Sequence, residues 1–292
     1  MNSTVVLYTL IFLMIVFWSG NYIVGKIALR EFSALLLASL RISFAGLFML
    51  PLYAWENRRR AASWTRRDVR LLLYLGVFGV TLNQVFFVVG LSRTSVAHAA
   101  IIIGLTPMLV LLLACMRGLE HMTARKAAGM AIALAGVAVL KVFEPSSPRG
   151  ATWLGDLFTF LAAVFFAMFT VAGKEATARF SSVTVNTFAY VGGALALAPV
   201  VLWRASHHAL ENVSSAAWLS MLYMALFPSV LAYLIYYYAL KRISASRVSA
   251  FSYLQPVFAT AMGVAILGER PGASVVAGGL VILCGVWMAE RG

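Results

Sequence analysis

Charge is scarce in this sequence. Charged residues make up 11% of its 292 residues, against ~25% in soluble domains. Acids are scarcest: Glu31, Glu56, Asp68, Glu120, Glu144, Asp156, Glu175, Glu211, Glu269 and Glu290, each in a loop or at the end of an apolar run. No water-soluble fold of this size could hide an apolar content of 62%, so the excess must face lipid. Two cysteines, Cys115 and Cys284, lie within apolar runs. They imply no disulfide or metal framework and read as small buried hydrophobes. The four histidines, His98, His121, His207 and His208, form no HExxH motif. That leaves an intramembrane enzyme, the rival from another class, without a visible nucleophile–base pair or metal cluster. No catalytic residue, cofactor or metal is expected. The net charge of +13 comes without a basic stripe interleaved with aromatics, so nucleic acid is not the expected partner. Its basic residues sit in short loops, where they set orientation and meet the lipid bilayer.

Long apolar runs are what the sequence does have. A helix crosses the ~30 Å hydrocarbon layer with roughly 20 apolar residues. Runs at 5–28, 33–54, 71–91, 97–116, 127–143, 153–173, 182–203, 218–239, 247–267 and 273–289 predict an all-α membrane protein with ten transmembrane helices. The runs are continuous rather than alternating, which excludes barrel strands. The first has no basic n-region or cleavage pattern, so a retained helix is expected rather than a signal peptide. With the N-terminus inside, fifteen Lys and Arg fall in inner loops and seven in outer loops; Arg41, within the second run, completes the 23. This bias predicts a multi-pass protein of the plasma (inner) membrane with both termini cytoplasmic.

The chain also repeats itself. At an offset of 149, residues 91–140 fall on 240–289 with twelve identities, among them Arg93/Arg242, Pro107/Pro256, Glu120/Glu269, Gly129/Gly278 and Gly136/Gly285. At 148, Gly25-Lys26 meets Gly173-Lys174 and Pro51 meets Pro199. Biased composition gives chance Leu and Ala matches, but it does not align Pro, Glu and paired Gly in one register. The expected units are 1–146 and 147–292, each of five spans. An odd number of spans turns the second repeat upside down. Inverted five-helix repeats are the mark of secondary transporters, whose solute site lies at the midplane between the halves.

Several strings resemble a known family: Trp18-Ser-Gly-Asn21, Gly155-Asp156 opening the sixth run, Leu267-Gly-Glu-Arg270-Pro271 and Gly278…Gly285-Val286. Together, and over essentially the whole chain, they are similar to the EamA-type drug/metabolite transporter superfamily. The first half departs from the pattern at Gly118-Leu119-Glu120-His121. Within the superfamily the chain most resembles the YddG-type exporters of aromatic amino acids. The resemblance implies export of small metabolites, with a broad drug/metabolite exporter as the alternative.

Polar side chains at membrane depth are costly and face a bundle interior or wet cavity. The two glutamines, Gln84 and Gln255, lie within spans, as do Asn21 and Asn83. Helical spacing puts Trp18, Asn21 and Tyr22 on one face of the first span, and Phe166 and Phe169 on the equivalent face of the sixth. Asn83, Gln84 and Phe87 match Tyr233 and Tyr237 in depth. Thr106-Pro107 and Gln255-Pro256 are expected hinges, where proline frees backbone carbonyls. His98, at the outer start of the fourth span, is a further candidate, although an interfacial histidine is its plainer reading. Any one aromatic stripe is more often packing than pocket; the coincidence across halves is what singles out the set. Arg41 is expected to snorkel or to pair with backbone or a loop acid such as Glu31, in preference to a substrate role. With no Lys or Arg expected at the centre, the solute should be neutral or zwitterionic and partly apolar, such as an aromatic or apolar amino acid. With no Asp or Glu at mid-membrane, facilitated diffusion by alternating access is expected.

Overall fold

The computed structural model describes residues 3–57, 65–118, 121–142, 152–206, 210–243, 245, 248 and 251–290. The turn at Leu119–Glu120 and the histidines at 207 and 208 lie outside them. Among the described residues every regular element is helical. The order is α1 (Ser3–Ala28), α2 (Ala34–Asn57), α3 (Arg66–Leu91), α4 (Val96–Met116) and α5 (Ala124–Val142). Then follow α6 (Trp153–Arg179), α7 (Ser182–Ser206), α8 (Ser215–Arg242), α9 (Leu254–Leu267) and α10 (Ala273–Glu290). Among the described residues seven, α1–α4 and α6–α8, are long and apolar enough to cross a membrane; α9 and α10 are shorter apolar helices.

Local chemistry sets the ends. Thr65, Ser95, Thr152 and Ser214 each accept a hydrogen bond from the backbone N–H three residues on, satisfying a donor the helix cannot. Thr65 and Asp68 complete a reciprocal capping box. α4 and α9 are each followed by a left-handed glycine, Gly118 at φ 68° and Gly268 at φ 67°, where a side chain would be strained.

Three helices are irregular in the middle. α3 is π-helical over Leu75–Leu82 and α8 over Ala225–Leu231. In each, a hydroxyl reaches the carbonyl five residues back: Thr81 donates to Gly76 O at 3.0 Å, and Ser229 to Met224 O at 2.8 Å. In α8 the cause is Pro228, which lacks an N–H and crowds the carbonyl of Met224. α4 breaks at Gly104–Leu105, so Pro107 sits in the first turn of a new helical segment. Pro256 is likewise near the start of α9. Both prolines therefore open helices, where a missing N–H is harmless, instead of kinking continuous ones.

Packing is reciprocal. α5 lies along α10 and α2 along α7. A Cβ on Gly136 would stand 2.9 Å from Gly278 O, and one on Gly285 would stand 2.6 Å from Gly129 O. Rising residue numbers on α5 meet falling ones on α10, so the pair is antiparallel. α2 and α7 also run antiparallel, with Met49 meeting Asn186 and Glu56 meeting Ser181. α1 packs on α8 and α9, while α6 packs on α3 and α4. At the helix ends Lys26 of α1 donates to Thr94 O and Lys174 of α6 to Ile243 O.

Candidate functional site

Where α1, α3, α4, α6, α8 and the start of α9 converge, they leave a cavity of about 510 Å³, counting its mouth. Trp18, Asn21 and Tyr22 come from α1; Asn83, Gln84 and Phe87 from α3; Ile103 and Thr106 from α4. Phe166 of α6, Tyr233 of α8, Ser252 in the turn just before α9 and Gln255 in its first turn complete those walls, and Arg41 enters from α2. Four pairs of lining residues are related by the repeat offset: Trp18 with Phe166, Gln84 with Tyr233, Ile103 with Ser252, and Thr106 with Gln255.

The apolar wall is built from rings meeting edge to face. Trp18 meets Phe166 at a centroid distance of 5.6 Å and Tyr233 at 5.9 Å; Tyr22 meets Phe87 at 5.2 Å. Such contacts suit the ring quadrupole. Trp18 is fixed further by donating its indole N–H to Pro228 O, at 3.2 Å. That carbonyl belongs to the π-helical segment, so the irregularity of α8 serves the cavity directly.

The polar wall is partly occupied and partly free. Asn83 donates to Ala162 O at 2.8 Å and accepts from Tyr233 OH at 3.3 Å. Gln84 donates to Tyr190 OH, and Tyr22 OH donates to Gln255 Oε1 at 3.5 Å. Arg41 Nε donates to Ser229 Oγ at 2.9 Å. Asn21 Oδ1, Gln84 Oε1 and Arg41 Nη1 are buried with no hydrogen-bond partner. Turning the Gln84 amide would put its nitrogen where its oxygen stands and still leave one atom without a mate.

Three residues of the predicted site stand elsewhere. Phe169 and Tyr237 are fully buried behind Tyr233, 5.4 Å apart by ring centroids, in a solid aromatic cluster that includes Tyr190 and Tyr236. Gly79 makes room for it, since a Cβ there would fall inside the Phe169 ring. His98 is not at the cavity wall. It is wholly buried, and its Nδ1 lies 3.3 Å from Asp156, whose other oxygen accepts from Thr94 at 2.6 Å. This carboxylate is buried in the first turn of α6, at the helix end where the sequence puts it, and apart from the cavity lining.

The expectation for Arg41 fails. It neither snorkels nor meets Glu31, which instead caps Ser214 at the head of α8. It is 3% exposed and puts a positive charge into the cavity that was expected to hold none. A charge within an apolar run was itself the signal. Ile103 and Ser252 carried a fainter one, each lying one turn before a chosen residue and at the repeat offset.

A family model described as "EamA-like transporter family" matches residues 6–142 and again 153–290. An uncharacterised transporter of Archaeoglobus fulgidus is 28% identical over 99% of this chain and 98% of its own. The uncharacterised transporter YyaM of Bacillus subtilis is 28% identical over 94% and 90%. A probable terminal-alkyne amino-acid exporter of Streptantibioticus cattleyicolor is 26% identical over 96% and 91%. One crystal structure superposes with a TM-score of 0.69 at 20% identity, covering 97% of this chain and 95% of the other. It shares the fold.

Proposed function

The chain belongs to the EamA-like transporter family, and from that premise we propose that it exports a zwitterionic amino acid with an apolar, preferably aromatic, side chain. The observation that carries this reading is the cavity itself, where a wall of rings faces unpartnered amide atoms. The rings would take the side chain, adding ~0.5–1.5 kcal/mol per good aromatic pair beyond area burial. The amide oxygens of Asn21 and Gln84 would meet the ammonium group with dipoles, weakly enough for release. The relative described as a probable amino-acid exporter supports the same class.

Alternating access would come from two inverted halves, 1–146 and 147–292, with α5, α9 and α10 counted as crossings beside the other seven. The family model matches twice, once in each half. Equivalent helices pair antiparallel, and their glycine contacts are reciprocal, as a two-fold axis requires. The π segments recur at equivalent positions, and the left-handed glycines fall one residue apart in that register. Among the described residues no carboxylate lines the cavity, which supports movement down the solute's own gradient.

Counterflow in proteoliposomes tests the proposal with labelled phenylalanine, tryptophan, leucine, glutamate, lysine, glucose and a lipophilic cation. Phenylalanine and tryptophan are expected to exchange fastest, at rates unchanged by an imposed proton or sodium gradient. Preferential exchange of the cation or the sugar would sink the amino-acid reading in favour of a broad exporter. Strict dependence on a gradient would sink facilitated diffusion.

A further inference from the structure

The charge in the cavity narrows the solute further. Burying a guanidinium among apolar helices is costly unless something compensates it. Nothing among the described residues does so fully. Arg41 Nε is satisfied by Ser229, and the Tyr190 and Tyr233 hydroxyls lie close enough to feel the charge, but Nη1 has no partner. The buried or half-buried carboxylates are engaged elsewhere: Glu56 with Ser181, Asp68 with Thr65 and Arg179, Asp156 with Thr94, and Glu269 with the N–H of Val96. Among the described residues no acid stands at the cavity.

The arrangement is also one-sided. Offsets of 148 and 149 carry position 41 onto Ala189 and Tyr190, so the second half supplies no matching charge. The lining as described therefore has one positive charge and no negative one. Ser229, held in the π segment of α8, anchors the inner nitrogen and leaves the end of the planar fork for a ligand. A guanidinium fork fits a carboxylate in bidentate geometry and remains charged at every physiological pH.

Building on the amino-acid reading above, we infer that Arg41 is the carboxylate-recognition residue of this cavity and that the transported solute must carry a free carboxylate. The ring wall and the amides then read the remainder of the molecule. An amine or amide of the same shape would leave the arginine buried and unpaired, so it should be rejected.

Calorimetric binding to the purified full-length protein in nanodiscs tests this with four probes of one shape. They are phenylalanine, 3-phenylpropanoate, phenylalaninamide and phenethylamine. The two carboxylates are expected to bind, and the amide and amine to bind ~30-fold more weakly, as for loss of one partner of a buried charged pair. Arg41→Gln should abolish that preference. Arg41→Lys keeps the charge without the fork, guards against a misfolded Gln variant, and should retain a smaller preference. If phenylalanine and phenethylamine bind wild-type protein equally, this inference is overturned and the amino-acid reading stands. If 3-phenylpropanoate binds and phenylalanine does not, the inference holds and the amino-acid reading falls. Binding of none of the four would overturn both.

Discussion

Asn21 and Trp18 stand one helical turn apart on α1, yet removing them has different consequences. The Oδ1 of Asn21 is buried without a partner. Asn21→Ala deletes an unsatisfied group, so thermal stability in detergent is expected to hold or rise slightly, within ~1 kcal/mol. Exchange of phenylalanine is expected to fall ~10-fold or more, because a hydrogen bond to the charged ammonium is lost. Stability and transport would move independently, which a merely structural asparagine would not allow. Trp18 couples the two. It touches Phe166, Tyr233 and Tyr236 and donates to Pro228 O, so Trp18→Ala should lower transport and also cost ~3–5 kcal/mol of packing. Trp203, largely exposed and stacked on Arg204, is the control: Trp203→Ala is expected to leave the exchange rate unchanged.

At the scale of elements, contacts between helices are closest where glycine removes the side chain. Gly136 and Gly285 let α5 and α10 touch through backbone, the van der Waals packing that membrane helices use in place of a hydrophobic drive. Backbone cannot yield as a flexible side chain can. Gly285→Ala is therefore expected to cost ~1–3 kcal/mol of stability, while Gly192→Ala, with open space around it, should be silent in the same thermal unfolding assay. Another link joins the halves through the loop before α2. The hydroxyl and the N–H of Ser214 both donate to Glu31, each at 2.6 Å, and hold its carboxyl below the ordinary value of 4.5. A group with a lowered pKa stabilises the fold when ionised. The advantage of wild type over Glu31→Gln should thus be complete above pH 4.5, shrink as pH falls below it, and vanish once Glu31 is protonated in the fold as well. Melting curves of both proteins across that range check the sign.

For the whole molecule, the repeat is unequal in a way that bears on mechanism. Asn21 and Phe87 line the cavity, but the residues at the repeat offsets, Phe169 and Tyr236, are packed solid in the aromatic cluster. Both halves line the cavity, but at these two positions only the first half's residue reaches it. A difference of this kind between the two halves is what the proposed alternating cycle would need at one of its ends. The proposed inversion makes a direct prediction. In a background free of Cys115 and Cys284, Arg117→Cys should react with an impermeant thiol reagent from the cytoplasmic side and Arg270→Cys from the opposite side. Both positions are exposed and follow equivalent helices. Labelling from the same side would defeat the inversion.

The amino-acid sequence by itself determined which stretches are helical and apolar, because lipid demands long continuous runs whatever their neighbours. It also carried the offset that relates Trp18 to Phe166 and Thr106 to Gln255, since duplicated positions keep their spacing in the chain. Polar groups in an apolar run announced Asn21, Asn83, Gln84 and Gln255 as facing something other than lipid. Tertiary packing alone decided which of these face empty space and which find partners. Phe169 and Tyr237 have the spacing of wall residues, but the gap at Gly79 lets rings close behind Tyr233. His98 lies near a helix end in the chain and is buried because Asp156 of α6 meets it there. The fate of Arg41 was least legible. A snorkelling arginine and one aimed into a cavity look alike along a single helix, and only Ser229, 188 residues away, separates them.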